Sequence, residues 1–182
     1  MINNIIRCAK HRSYSMFKQT ALVAAILLSV TQGARALDAP IMGSVQSKCS
    51  ITTDTPGIYG NPTPSVLSTA ATDGGIEPVV RFDVISADYY KAVITHPQDF
   101  SSSPALTDTV VWNGAVSVSE VSDPLMSGYD AAKRVYNNVT EFDLTVAGTT
   151  WFSITSDASY GFDKSWPAGN YNAVVSAECI AL

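Results

Sequence analysis

The sequence predicts an all-β fold: one antiparallel, immunoglobulin-like β-sandwich of about seven to eight strands. Three observations carry that expectation. Apolar and polar residues alternate with period two through most of the chain after residue 36. Turn-forming residues punctuate those runs at short spacing. Two cysteines, Cys49 and Cys179, lie near opposite ends of the same stretch.

The first 36 residues read differently. Arg7, Lys10, Arg12 and Lys18 form a basic lead-in, Ala21 to Val30 an apolar run, and Ala34-Arg35-Ala36 a small-x-small site. That order is a secretory signal peptide. A run of about ten residues is too short to span a bilayer, which takes roughly twenty. Met16 opens a complete compact leader of its own, so two starts fit the pattern. Leu37, not cysteine, follows the site, which argues against a lipid anchor. The expectation is a signal peptide over 1–36 and a single domain over 37–182. The product would be secreted or held at the cell surface after passing through the periplasm, with no membrane span after cleavage.

The elements of that domain follow in order. From Leu37 to Ile51 the odd positions are apolar or small and the even ones mostly polar. This predicts a strand whose early part Pro40 confines to an edge or an unpaired arm. Residues 53–77, rich in Thr, Pro, Gly and Ser, read as a long surface connection. Val80, Phe82 and Val84 alternate with Arg81 and Asp83, and Tyr90–Thr95 makes another strand. Val110, Trp112, Gly114, Val116 and Val118 mark one face of a long strand or a hairpin, with Asn113-Gly114 as a turn signal. Asp123-Pro124 is a plausible cap and first position of one short helix, which Gly128 weakens. Thr140, Phe142, Leu144 and Val146 share a face, and Ala147-Gly148 turns the chain into a strand at Trp151–Thr155. In the last strand Tyr171, Ala173, Val175, Ala177, Cys179 and Ala181 alternate with polar residues.

Both cysteines of the domain fall on apolar faces, and an even pair outside the cytoplasm reads as a disulfide. The first and last strands should then lie close together. A closure this long contributes roughly 5 kcal/mol in loop-entropy models.

Charge and motifs narrow the function classes. The leader takes five of the eleven basic residues and no acid, leaving six bases against sixteen acids, a net charge of −10. That disfavours nucleic acid and anionic membranes. One histidine, His96, remains after the leader, and before Pro97 it reads as an exposed loop residue. No H-x-x-x-H, C-x-x-C, G-x-S-x-G, P-loop or G-x-G-x-x-G occurs, so no metal, cofactor or catalytic set is expected. Six aromatics fall between Trp151 and Tyr171. Interleaved with Asp157, Asp163 and Asn170, they could form a sugar-stacking platform or a weak Ca²⁺ loop. Trp151, Tyr160, Trp166 and Tyr171 are the ligand candidates. The competing reading puts Trp151 or Phe152 in the core and makes Trp166-Pro167 a loop anchor.

The amphipathic arm Leu37–Val45, the cysteine strand behind it and the closing strand Tyr171–Leu182 together resemble a secreted bacterial fimbrial subunit of the chaperone–usher or donor-strand type. The resemblance implies that Leu37, Ala39, Ile41, Gly43 and Val45 fill a groove in a neighbouring subunit by β-strand addition. It departs from the family in the disulfide, which there commonly joins the first strand to another early one. The expectation is thus an exported structural or adhesive subunit of a filament or biofilm matrix, not an enzyme, with copies of itself or other fimbrial subunits as partners. The alternative is a secreted glycan-binding module.

Overall fold

A computed structural model describes residues 40–43, 48–86, 90–162 and 164–182. The described residues contain ten strands: β1 Cys49–Thr55, β2 Gly60–Thr63, β3 Val66–Ser68, β4 Val79–Val84, β5 Tyr90–Thr95, β6 Val110–Val121, β7 Arg134–Tyr136, β8 Val139–Leu144, β9 Gly148–Tyr160 and β10 Ser176–Ala181. They form two antiparallel sheets. In the first, β9 is the spine. Its first half pairs with β4, which pairs with β1; its last residues pair with β3, which pairs with β2; β6 runs along its other side. The second sheet has the order β10-β5-β8-β7.

The sheets share one core because the alternation puts apolar residues inward on both. Val80, Phe82 and Val84 of β4 and Phe152 and Ile154 of β9 meet Tyr90, Ala92 and Ile94 of β5 and Phe142 and Leu144 of β8. Phe152 joins the layers, its ring 4.5 Å from Phe142 and 5.3 Å from Phe82. Each large buried side chain contributes about 1.5–3 kcal/mol. The predicted faces of β4 and β8 are those observed, and the predicted strand at β5 turns Tyr90, Ala92 and Ile94 inward. The tyrosines at the core margin keep their hydroxyls satisfied: Tyr90 accepts from Lys48 N at 3.0 Å and Tyr129 from Val146 N at 2.9 Å.

Asp123 caps a 3₁₀ turn at Pro124–Met126 through Leu125 N, 2.8 Å away. Gly128 separates this turn from the four-residue helix α1, Tyr129–Ala132. From α1 and the residue after it, Asp130 Oδ1 accepts from Val118 N at 3.0 Å and Lys133 Nζ donates to Val116 O at 2.9 Å. These backbone groups belong to β6, which among the described residues pairs with β9 alone. Side chains thus occupy part of an edge that would otherwise present unpaired main chain.

The disulfide joins Cys49 and Cys179 across 130 residues. It ties β1, at one end of the first sheet, to β10, at the edge of the second, so the first and last strands of the domain are neighbours.

Four expectations need correction. The strand predicted from Leu37 starts at Cys49, and Pro40–Gly43 adopt no strand conformation. Residues 53–77 are not one surface connection, for they contain β2 and β3, with Leu67 and Ser68 buried. The thirteen-residue β9 outruns β4, and β3 supplies the missing partner at Ala158 and Ser159. Asn113-Gly114 is not a turn, since β6 continues straight through it opposite Ser156 and Asp157. Lastly, β9 extends the predicted Trp151–Thr155 strand to Tyr160. The leader lies outside the described residues. Among the described residues no helix is long and apolar enough to cross a membrane.

Candidate functional site

The register of β1 locates an opening in the side of the sandwich. Cys49, Ile51 and Thr53 stand directly opposite Val84, Phe82 and Val80 of β4. Directly opposed residues share a sheet face, so all three point toward the core. Yet Ile51 is 37 % exposed and Thr53 is exposed as well. The second sheet does not cover them. A groove of about 250 Å³ opens there, with Val80 in its floor and Thr53, Pro97, Ala173 and Val175 in its walls. Deeper in the groove Tyr59 Oη lies 2.8 Å from Ser156 Oγ. Burial pushes the Tyr59 hydroxyl above its ordinary pKa, with Asp157 adding to the rise and the Ser156 bond opposing it.

A second cleft of about 420 Å³ shares Gly57, Tyr59 and Ala173 with the first and continues along Gly169–Asn172. Behind it lies an aromatic cluster. Phe100 is the hub, 4.7 Å from Trp112, 5.2 Å from Tyr171, 5.6 Å from Trp166 and 6.4 Å from Tyr59. Trp166 stacks on Tyr160 at 4.9 Å and meets Tyr171 edge-on at 5.1 Å. Tyr160 is buried, and its hydroxyl is bonded to Thr107 N at 3.0 Å. Those Thr107 bonds pull its pKa down. Trp166 Nε1 is buried and, among the described residues, makes no hydrogen bond.

Three of the four predicted ligand residues, Tyr160, Trp166 and Tyr171, therefore come together, but mostly against one another. The Trp166-Pro167 segment anchors its loop through Trp166 N to Pro64 O at 2.9 Å. Trp151 is elsewhere. It stands on the outer face of β9 opposite Arg81, and its Nε1 donates to Asp54 Oδ2 at 2.6 Å. Asp54 and Asp83 also pair with Arg81, at 3.3 and 3.0 Å, which accounts for the polar side of this patch. Phe152, beside it, is core.

His96 corrects a further expectation. It is buried, not exposed, because Gly114 of β6 leaves room for the ring: a Cβ there would lie 2.8 Å from Nδ1. Asp157 lies within β9, paired with Ser68 and Asn113, and not in a Ca²⁺ loop. Asp163 lies outside the described residues. Among those described, no group of three or more His, Cys, Asp or Glu could hold a metal ion.

Of the predicted assembly residues, Ile41 and Gly43 are exposed, Ile41 at 99 %. Leu37, Ala39 and Val45 lie outside the described residues. Sequence reasoning missed Tyr59, Phe100 and Ser156. Phe100 sits in a loop without periodicity, and Tyr59 in the stretch read as a surface connection. No protein-family model matches the chain, and the search of curated proteins found no match.

Proposed function

We propose that the chain is an exported structural subunit of a surface filament or biofilm matrix, built as an immunoglobulin-like sandwich and assembled by β-strand addition. One observation carries the reading: the inward face of β1 is left open at Ile51 and Thr53 beside an apolar groove. The occupant is the Leu37–Val45 segment of a second copy. That segment precedes Cys49 and so stands outside the disulfide-closed loop. Its Ile41 and Met42 are 99 and 90 % exposed. An apolar cavity of about 150 Å³ takes up a benzene-sized group, so the groove has room for an aliphatic anchor. Each large side chain buried there contributes about 1.5–3 kcal/mol. Main-chain bonds along the free edge of β1 would set register.

Sedimentation velocity and electron microscopy of the protein lacking residues 1–36 test this. The intact protein is expected to assemble, and Ile41→Asp or deletion of residues 37–45 to leave folded monomers. Filaments from the deleted form, or an intact protein that stays monomeric at high concentration and at the cell surface, would overturn the reading.

A further inference from the structure

The second cleft has a chemistry of its own. Among the described residues, none that lines it is charged. Its walls carry two aromatic rings, Tyr59 and Tyr171, and two side-chain amides, Asn170 and Asn172, with the buried Leu67 beneath. Both tyrosine hydroxyls are already engaged, Tyr59 with Ser156 and Tyr171 with Pro167 O at 2.6 Å. The rings are therefore fixed in place and offer apolar surface. The two amides are exposed and, among the described residues, make no hydrogen bond through their side chains. Each amide has two donor hydrogens and one acceptor oxygen.

The wall that bears them is held firmly. Asn172 exchanges backbone bonds with Ser102, at 2.8 and 3.3 Å, and its carbonyl also accepts from Ser101 Oγ at 3.1 Å. Gly169 has φ +151°, and a Cβ there would come 2.5 Å from Pro104 Cγ, so glycine is needed for this wall to close on the loop beside it. A pre-formed wall lowers the ordering cost of binding.

From this we infer that the cleft between Gly57–Tyr59 and Gly169–Ala173 is a binding site for a neutral saccharide. A sugar ring presents C–H faces to aromatic surface and hydroxyls to amides, the two functions that the cleft supplies. About 420 Å³ falls within the range of ligand sites and suits a mono- or disaccharide unit. The absence of a lining cation, together with the acidic chain, selects against sialylated or sulfated sugars. Asn170 and Asn172 lie outside the groove that the arm would fill, but Gly57, Tyr59 and Ala173 line both, so an arm seated there would narrow the cleft.

The test is an array of neutral, sialylated and sulfated oligosaccharides probed with the protein lacking residues 1–36. The best neutral binder is then titrated by calorimetry against the parent, Asn170→Ala, Asn172→Ala and Val135→Thr, the last on the far edge strand β7. The expected result is retention of neutral glycans. A lost hydrogen bond should weaken binding about fivefold in each asparagine variant, with Val135→Thr at the parent value. Circular dichroism of each variant separates loss of contact from loss of fold. No neutral glycan retained, a preference for charged glycans, or folded asparagine variants that bind like the parent would overturn the assignment. Binding is titrated at concentrations where sedimentation shows monomers, so failure of one proposal does not carry over to the other.

Discussion

Replacing Gly114 by alanine should destabilise the domain by about 1–2 kcal/mol, against the usual direction of that change in a strand. Glycine in a strand interior ordinarily costs about 0.5–1 kcal/mol relative to alanine, and the φ of Gly114 does not lie in the left-handed region. Backbone preference alone would therefore favour the substitution. The surroundings oppose it. The added Cβ would lie 2.7 Å from Thr155 O, 2.8 Å from His96 Nδ1 and 2.9 Å from His96 Cγ. Carbon contacts are optimal near 3.5–4.0 Å. The His96 ring cannot simply withdraw, since its residue is buried and bonded at both backbone groups: N to Asn138 O at 3.0 Å, and O from Asn138 Nδ2 at 3.2 Å. Overpacking of this kind costs about 1–3 kcal/mol, which outweighs the backbone gain. With a urea m-value of about 2 kcal/mol/M, the unfolding midpoint should fall by about 0.5–1 M. The control is the cycle with His96→Ala. Removing the ring relieves two of the three close contacts, so the pair should be non-additive by about 1 kcal/mol, above the roughly 0.3–0.5 kcal/mol scatter of independent sites. A Gly114→Ala variant as stable as the parent, or an additive double mutant, would refute the reasoning. Additivity is what a left-handed turn at Asn113-Gly114 would give, since its penalty would not depend on His96.

Two further outcomes follow from the fold. Changing both Cys49 and Cys179 to alanine opens a 130-residue loop and should cost roughly 5 kcal/mol, with a larger m-value as the unfolded chain expands; a loss under about 1 kcal/mol in urea titrations would count against that account. Asp130 provides a pH dependence. Burial alone would raise its pKa, but the Val118 N–H and the Lys133 ammonium outweigh it and hold the carboxyl below its ordinary value. A group depressed in the folded state stabilises above its unfolded pKa, about 4, and loses that contribution as pH falls through the lower folded value. Asp130→Asn should therefore flatten the acid limb of the stability profile below about pH 4, and an unchanged limb would dismiss the role given to this contact.

The sandwich was legible where one face is buried and the other wet. β4 and β8 alternate apolar with polar residues, and the alternation identified their inward residues correctly. The disulfide followed from two cysteines on apolar faces. The hairpin β2–β3 was not legible, because its strand character comes from the overhang of β9 and from Asn61, whose amide braces the turn at Thr63 O and Val66 O, both 2.7 Å. Neither is visible as local periodicity. Gly114 misled because Asn-Gly reports a turn propensity, while a mid-strand glycine can equally mark a close approach by a distant ring. The open face of β1 was invisible for a related reason: alternation shows which way Ile51 and Thr53 point, but not whether anything covers them. Phe100 carries no pattern at all, yet four rings gather around it.

The placement of the disulfide also bears on mechanics. A load entering before Cys49 and leaving after Ala181 meets only Ile180 and Ala181 of β10 before it reaches the sulfur–sulfur link. The chain between the two cysteines, a sequence separation of 130, stands in parallel with that bond. At about 3.5 Å per residue, roughly 450 Å of chain is thereby withheld from extension. Pulled from points outside the two cysteines, the molecule would behave as a short, inextensible link once Ile180 and Ala181 part from β5, the ladders between the cysteines shielded from tension while the covalent bridge bears the force.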